Sequence, residues 1–248
     1  MLCRTAKAFI VSVGVIATLA TSTTYSDSTK SIPSAQFVQL QEGTATYSQT
    51  CCGFNILGSP ALSIDGIFSD IFGQTLNGWA VVRIVNGEEV SKAETAVWET
   101  ASDIGPGPLR ITMFFLHANP GHLLGRFRFS VTTDDRTLFA NGSPENGAVT
   151  ANWVVLTPQK VEVPQGMLSW TLPDDSVLVG GVVPATGIYD VSFTTNLSGI
   201  TGVRLEALED SSLGRGTGPG FFRNGNFVLT ELQVYAVPHG PKARDCRP

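Results

Sequence analysis

A glycine-rich loop near the end of the chain collects side chains that could contact a ligand. Residues 214–225 lie between two strand-like segments and combine aromatic, cationic and amide groups in one short stretch. The candidate ligand-binding residues are His122 from a second loop and Arg215, Phe221, Phe222, Arg223 and Asn224 from this one. The alternative is a structured Gly-Pro loop whose phenylalanines fill the core. No GK[ST] sequence follows the glycines, so a phosphate-binding loop is not expected.

The sequence does not indicate catalysis. It contains neither the GxSxG pattern of a nucleophile elbow nor an HExxH zinc motif. A Ser-His-Asp triad is hard to assemble, because the histidines are His117, His122 and His239, and His239 lies in the tail. His117 and His122 flank one turn without a visible third metal ligand. A pair of acids acting as in glycosidases is left open, although no spacing points to one. We therefore expect a non-enzymatic protein.

The first 22 residues have the order of a signal peptide. Arg4 and Lys7 precede an uncharged, mostly apolar run at 8–20, which ends in a small-residue site. A membrane anchor is the alternative, but the run is too short to span a bilayer comfortably. No later segment is apolar enough to cross one. We expect export to the periplasm, cell surface or exterior, with no membrane span after cleavage.

The cysteines that follow this signal are Cys51, Cys52 and Cys246. Export permits disulfides. Adjacent cysteines rarely bond to each other because the geometry is strained. The preferred pairing therefore joins Cys246 to Cys51 or Cys52 and leaves an odd thiol. A metal or redox site is the less favoured alternative, since no CxxC motif and no nearby histidine accompanies them.

The elements that must position these groups are short β-strands. The clearest alternation places Phe127, Phe129 and Val131 on one face of a half-buried strand. Residues 95–98 and 109–116 are predicted as two separate strands. No segment predicts a helix of three turns or more. About ten such strands, punctuated by Gly and Pro, predict an all-β, jelly-roll-type sandwich.

The predicted organisation is a linker at 23–36, one sandwich domain at 37–238 and a tail at 239–248. The polar stretch at 134–150 is interpreted as an insertion, or as the boundary of a second small sandwich. An Asp174-Asp175 turn predicts a hairpin between 167–172 and 176–179. The tryptophans are predicted to pack the core: Trp79, Trp98, Trp153 and Trp170. The net charge of −5, without a Lys/Arg cluster, argues against nucleic-acid binding.

Two groups of segments resemble a known class of protein. The first comprises SIDG at 63–66, GWAV at 78–81, LRIT at 109–112 and GHLLGRFRFSVT at 121–132. The second comprises ITGVRLEAL at 200–208 and NGNFVLTELQV at 224–234. Both resemble segments of large exported bacterial proteins that combine cytochrome-c-like with β-sandwich modules. Their order is similar to that of the discoidin (coagulation factor five/eight type C) domain and its galactose-binding-like relatives.

This resemblance implies a galactose-binding-like sandwich with a structural Ca²⁺ between the first loop and the last strand. The ligands implied by the resemblance are Asp65 and Glu231. Ca²⁺ needs several oxygen ligands, which the loop at 65–73, with Asp70, could supply. The alternative is an Arg or backbone partner for Glu231 and a simple turn role for the aspartate. It also implies a carbohydrate or cell-surface glycan as the partner of the candidate loop residues. No CxxCH motif is present, so no haem is expected. The alternative function is a structural or protein–protein interaction module of a bacterial surface assembly.

Overall fold

The computed structural model describes residues 35–52, 58–69, 77–214 and 218–239. The predicted signal peptide at 1–22 lies outside them, as do the linker up to residue 34 and the tail from residue 240. Short 3₁₀ turns lie at Pro60–Ser63 and Arg136–Leu138 of the described chain. None of the described helices has the length and apolar character needed to cross a bilayer.

The regular structure of these residues is otherwise β, as predicted. The strands are β1 Gln36–Val38, β2 Leu40–Ala45, β3 Trp79–Ala80, β4 Arg83–Val85, β5 Glu88–Val90, β6 Glu94–Phe115, β7 Arg126–Thr132, β8 Val154–Val155, β9 Lys160–Glu162, β10 Met167–Thr171, β11 Val177–Gly181, β12 Gly187–Thr195, β13 Ile200–Ala207, β14 Val228–Leu229 and β15 Glu231–Pro238.

One long strand, β6, belongs to both layers of the structure. Its first half pairs mainly with β2 and β13, and its second half pairs with β12 and β15. The prediction of separate strands at 95–98 and 109–116 was therefore wrong. The intervening Gly-Pro-Gly-Pro segment at 105–108 continues the strand instead of ending it, because the fixed φ of proline is compatible with extended backbone.

Around β6 the strands form two antiparallel layers. The first has the order β2-β6-β13-β7-β11-β10, with β8 beside β7, and the second has the order β1-β15-β6-β12-β9. Aromatic rings meet between the layers. Phe127 contacts Tyr189 with 6.2 Å between ring centroids, and Phe129 contacts Phe193 at 6.0 Å. The prediction of a β-sandwich is confirmed, and the apolar face predicted for β7 is buried in its core.

The stretch after β7, predicted as an insertion, packs on the outer face of the first layer. Phe139 is buried there with Val97 of β6 and is covered by the half-buried Trp153, whose ring centroid lies 5.3 Å away. Gly202 of β13 makes this contact possible, because a Cβ at that position would overlap the Phe139 ring. The stretch therefore covers part of the sandwich and contributes a small apolar cluster of its own.

The tryptophans differ in burial. Trp79 and Trp98 are fully buried, as predicted, and their rings meet edge to face with 6.4 Å between centroids. Trp170 is 48% exposed, so the prediction that it packs the core was wrong. The reason is the parity of β10: Met167 faces the core, so Trp170, three positions later, faces outward.

Candidate functional site

Two loops are held together at one end of the sandwich. The backbone N–H of Phe221 donates to Leu123 O at 3.0 Å, and the N–H of Val228 donates to His122 O at 3.0 Å. Between these bonds the glycine-rich loop turns back on itself, since Gly225 N–H donates to Phe222 O at 2.6 Å. Backbone hydrogen bonds therefore bring His122 to the candidate loop, although the two are far apart in the chain.

The aromatic groups of the two loops stack. The rings of His122 and Phe222 are nearly parallel, with 3.9 Å between centroids and 20° between planes. His117 meets His122 edge to face at 4.9 Å, and the guanidinium carbon of Arg223 lies 5.7 Å from the Phe222 centroid. His122 also contacts Asn119 O through Nδ1 at 3.0 Å. The histidines are buried, whereas Phe222 is half-buried and Arg223 is exposed.

A network of amide side chains lines the same cavity as this stack. Asn224 donates through Nδ2 to Glu89 Oε2 at 2.9 Å and accepts the N–H of Asn226 at 3.0 Å. Asn226 accepts two backbone N–H groups, from Val81 at 3.0 Å and Val82 at 3.1 Å. Its Nδ2 donates to Gln49 Oε1 at 3.0 Å. The amides are therefore fixed in place by bonds to the residues after β3, to Gln49, to β5 and within the loop itself.

These groups line a cavity of about 140 Å³. Four of the residues predicted for a ligand surface lie in its wall: His122, Phe222, Arg223 and Asn224. A second cavity of about 380 Å³ shares Glu89, Arg223 and Asn224 with the first and adds Glu88, so the two are adjacent. The acids come from the β4–β5 hairpin. Its Asn86-Gly87 turn has positive φ at both residues, 52° and 83°, which suits a tight hairpin.

Two of the predicted residues do not join this cavity wall in the described structure. Phe221 is half-buried, packs against the main core and lines a different cavity, so the alternative of a core-filling phenylalanine applies to it. Arg215 lies outside the described residues.

Sequence reasoning also missed members of the wall. Gln49, Glu89 and Asn226 were not singled out. The Asn-Gly-Asn spacing at 224–226 carried a signal, because an Asn side chain often accepts from the N–H two residues on.

The cysteine pairing differs from the prediction. The structure joins Cys51 to Cys52, and Cys246 lies outside the described residues. Cys52 has a φ of 74°, so the chain turns at this residue and the two side chains can meet. Gln49 Nε2 donates to Cys51 O at 3.2 Å, and Cys52 lines the cavity. The preference for Cys246 as the partner was therefore wrong, and the disulfide belongs to the cavity wall.

Asp65 and Glu231 lie close enough for the charge of one to act on the other. Gly66 N–H donates to Glu231 Oε2 at 3.2 Å, and Ile67 N–H donates to Asp65 Oδ1 at 2.8 Å. Glu231 is 4% exposed, and its burial raises its pKa to about 7; the Gly66 N–H opposes this rise and the charge of Asp65 adds to it. Asp70, the third predicted ligand, lies outside the described residues.

This carboxylate pair fits a calcium ion in the chemistry of its donors. Ca²⁺ takes six to eight oxygen ligands from carboxylates, backbone carbonyls and water. Glu231 has no cationic side chain within ion-pair distance in the part of the chain that the structure describes. Across the same residues, no three His, Cys, Asp or Glu side chains gather into a group that could hold a metal. The two carboxylates would hold the ion together with loop carbonyls.

Comparison with known proteins finds no family model that matches the chain and no curated protein that matches it.

Proposed function

We propose that this protein is an exported, non-catalytic glycan-binding module of the galactose-binding-like type. The observation that supports the proposal is the parallel His122–Phe222 pair, which lines one cavity together with Arg223 and Asn224. Pockets that bind small ligands combine apolar surface with a few placed polar groups. This cavity has Phe222, Val82 and Val228 as its apolar surface, and polar side chains make up most of the rest of its wall.

The chemistry of a sugar matches these groups. One face of a pyranose ring presents C–H groups, which pack on an aromatic ring, and its hydroxyls both donate and accept hydrogen bonds. Arg223 offers donors, Glu89 offers acceptors and Asn224 offers both. Asn224 and Glu89 are already hydrogen-bonded to each other, so little side-chain freedom is lost when a ligand binds.

A structural Ca²⁺ at Asp65 and Glu231 is part of the proposal. A buried carboxylate needs a proton or a cation as partner, and the raised pKa of Glu231 shows how unfavourable its bare charge is in this position. A cation there would join the loop before β3 to the start of β15. Its role would be to hold these two segments together, away from the His122–Phe222 pair.

A glycan array probed with the purified mature chain, with and without calcium, tests the proposal. The key variant is Arg223→Ala, because Arg223 is exposed and lines both adjacent cavities. Lys160→Ala is the matched control, since Lys160 is an exposed cation on β9 that lines none of these cavities. We expect binding by the wild type and the control, and at least a tenfold loss of affinity for Arg223→Ala.

The outcomes separate the two classes of function. Binding that is lost only with a chelator would assign the ion a supporting role in the site. A folded wild-type chain that binds no glycan in either condition would overturn the proposal. A structural or protein–protein interaction module of a bacterial surface assembly would then be the function to test, by crosslinking the exported chain on intact cells.

A further inference from the structure

We infer that the β10–β11 hairpin carries a second sugar contact, centred on Trp170, and that the ligand is an oligosaccharide or polysaccharide chain. This inference rests on the proposed glycan-binding function and adds the length of the ligand to it.

The outward face of this hairpin is apolar and exposed. Leu168 is 58% exposed, Trp170 is 48% exposed and Val182, which follows β11, is 73% exposed. The opposite face carries Met167, which is buried in the core. The hairpin ends the first layer, because β10 is the last strand in its order. Contiguous exposed apolar patches mark interaction sites, whereas apolar residues exposed singly are ordinary.

The backbone of Gly180 supports one face of the Trp170 ring. A Cβ at Gly180 would lie 3.0 Å from Cζ3 and 3.3 Å from Cη2 of Trp170, so the indole packs directly over the glycine. A side chain at that position would push the ring away from the strand. The indole is thus braced against β11 while half of its surface stays in solvent, which is the arrangement that a stacking platform requires.

A cavity of about 530 Å³ opens beside this ring. Its walls are mainly apolar, from Trp170, Leu178, Val183 and Phe221, with the hydroxyl of Ser212 as a polar group. No charged side chain of the described residues lines it. Among the described residues a charged peptide would find no ionic partner in this wall, whereas the C–H face of a neutral sugar would stack on the indole and use Ser212 and backbone groups for its hydroxyls.

Neighbouring residues of one loop connect the two sites. Phe221 lines the Trp170 cavity, and Phe222 lines the His122 cavity. The loop between the sites is fixed, because Phe221 N–H donates to Leu123 O at 3.0 Å and Gly220 forms a β-bridge with Leu124. A glycan chain lying across this loop would contact Phe222 and Arg223 with one unit and Trp170 with another.

The test is the dependence of affinity on chain length. Linear β-1,4-linked glucose, N-acetylglucosamine and mannose series, each from monosaccharide to hexasaccharide, are titrated calorimetrically into the full mature chain. For wild type we expect affinity to rise at least tenfold along the series that binds. Trp170→Ala should abolish this rise and leave monosaccharide affinity within twofold. Phe37→Ala is the matched control, an aromatic residue that is 52% exposed on β1 and should change nothing.

Each other outcome has a distinct meaning. If affinity still rises with length in Trp170→Ala, this inference is wrong while the proposed function stands. If the variant weakens all lengths equally, Trp170 is part of a single site and the second contact is refuted. If wild type binds no member of the series, the inference fails together with its basis. An unfolding curve is recorded for each variant to check that its fold is intact.

Discussion

The imidazole of His122 lies 3.9 Å from the ring of Phe222, centroid to centroid, and nearly parallel to it. Each ring belongs to a different loop, and hydrogen bonds at 3.0 Å from Phe221 N–H and Val228 N–H hold the backbones of these loops together. The stack is therefore a rigid aromatic wall, positioned before any ligand arrives. The contribution of this aromatic stack to ligand binding and to stability can be tested separately from that of the polar groups around it.

Replacing Phe222 by Ala should remove the aromatic face of the cavity. We expect at least a tenfold loss of glycan affinity, because His122 loses the ring stacked on it. Since an aromatic pair is worth about 0.5–1.5 kcal/mol, the free energy of unfolding should fall by only about that much. Calorimetry and chemical denaturation measure the two effects. Unchanged affinity in a folded Phe222→Ala protein would exclude the ring from the ligand site.

Asn226→Ala should destabilise the protein more than an ordinary polar substitution. The side chain is 3% exposed and accepts from the N–H groups of Val81 and Val82, which would be left unpaired. Each unsatisfied buried group costs about 1–3 kcal/mol, so we expect a loss of about 2–5 kcal/mol in urea unfolding. Asn152→Ala is the control, because Asn152 is exposed. Equal effects of the two variants would refute the structural role of Asn226.

Glu231 should make stability depend on pH. Its pKa in the folded protein, about 7, exceeds the ordinary value of 4.5, so the folded state holds a proton that the unfolded state releases. This contribution is full below pH 4.5 and is lost as pH rises to about 7. In calcium-free buffer, Glu231→Gln should remove this part of the decline in unfolding free energy. A variant with the wild-type profile would contradict the assignment.

Calcium should stabilise the protein through Glu231 at high pH, where the Glu231 carboxyl group has lost its proton. The ion takes the place of the proton, so added Ca²⁺ should raise the melting temperature more at pH 8 than at pH 5. Glu231→Gln should lose most of this increase, and Asp65→Asn should reduce it. Mg²⁺ at the same concentration controls for ionic strength. An equal increase in wild type and Glu231→Gln would place the ion elsewhere.

Gly202→Ala should destabilise the insertion at 134–150. The new methyl group would overlap the ring of Phe139, which packs on this glycine. Overpacking of this kind costs about 1–3 kcal/mol. A smaller side chain at position 139 should relieve the overlap. The double variant Gly202→Ala with Phe139→Leu should therefore lose less stability than the sum of the losses of the two single variants. Additive losses of stability would show that residues 139 and 202 do not interact.

Peptide mapping tests the disulfide. Alkylation without reduction should leave the peptide that contains Cys51 and Cys52 unmodified, and reduction should then expose two thiols in that one peptide. A peptide crosslinked to Cys246 would contradict the pairing in the structure. Because Cys52 lines the cavity, reduction should also weaken glycan binding, which the array measures on the same sample.

The sequence by itself determined the class of fold and part of the site. Alternation with a period of two placed Phe127, Phe129 and Val131 in the core, because successive side chains of a strand point to opposite faces. The Asp174-Asp175 turn predicted the β10–β11 hairpin, which the structure contains. The composition of the glycine-rich loop indicated Phe222, Arg223 and Asn224 as neighbours, since they are adjacent in the chain.

The tertiary structure alone decided which faces are covered and which distant residues meet. Trp170 was expected in the core, but Met167 faces the core and Trp170 lies on the outward face of the β10–β11 hairpin, where it is 48% exposed. Asp65 and Glu231 lie far apart in the chain, and only the pairing of strands brings them together. The same holds for Asn226, whose backbone partners Val81 and Val82 directly follow β3. Local patterns specify the direction of a side chain, whereas long-range packing specifies what it meets.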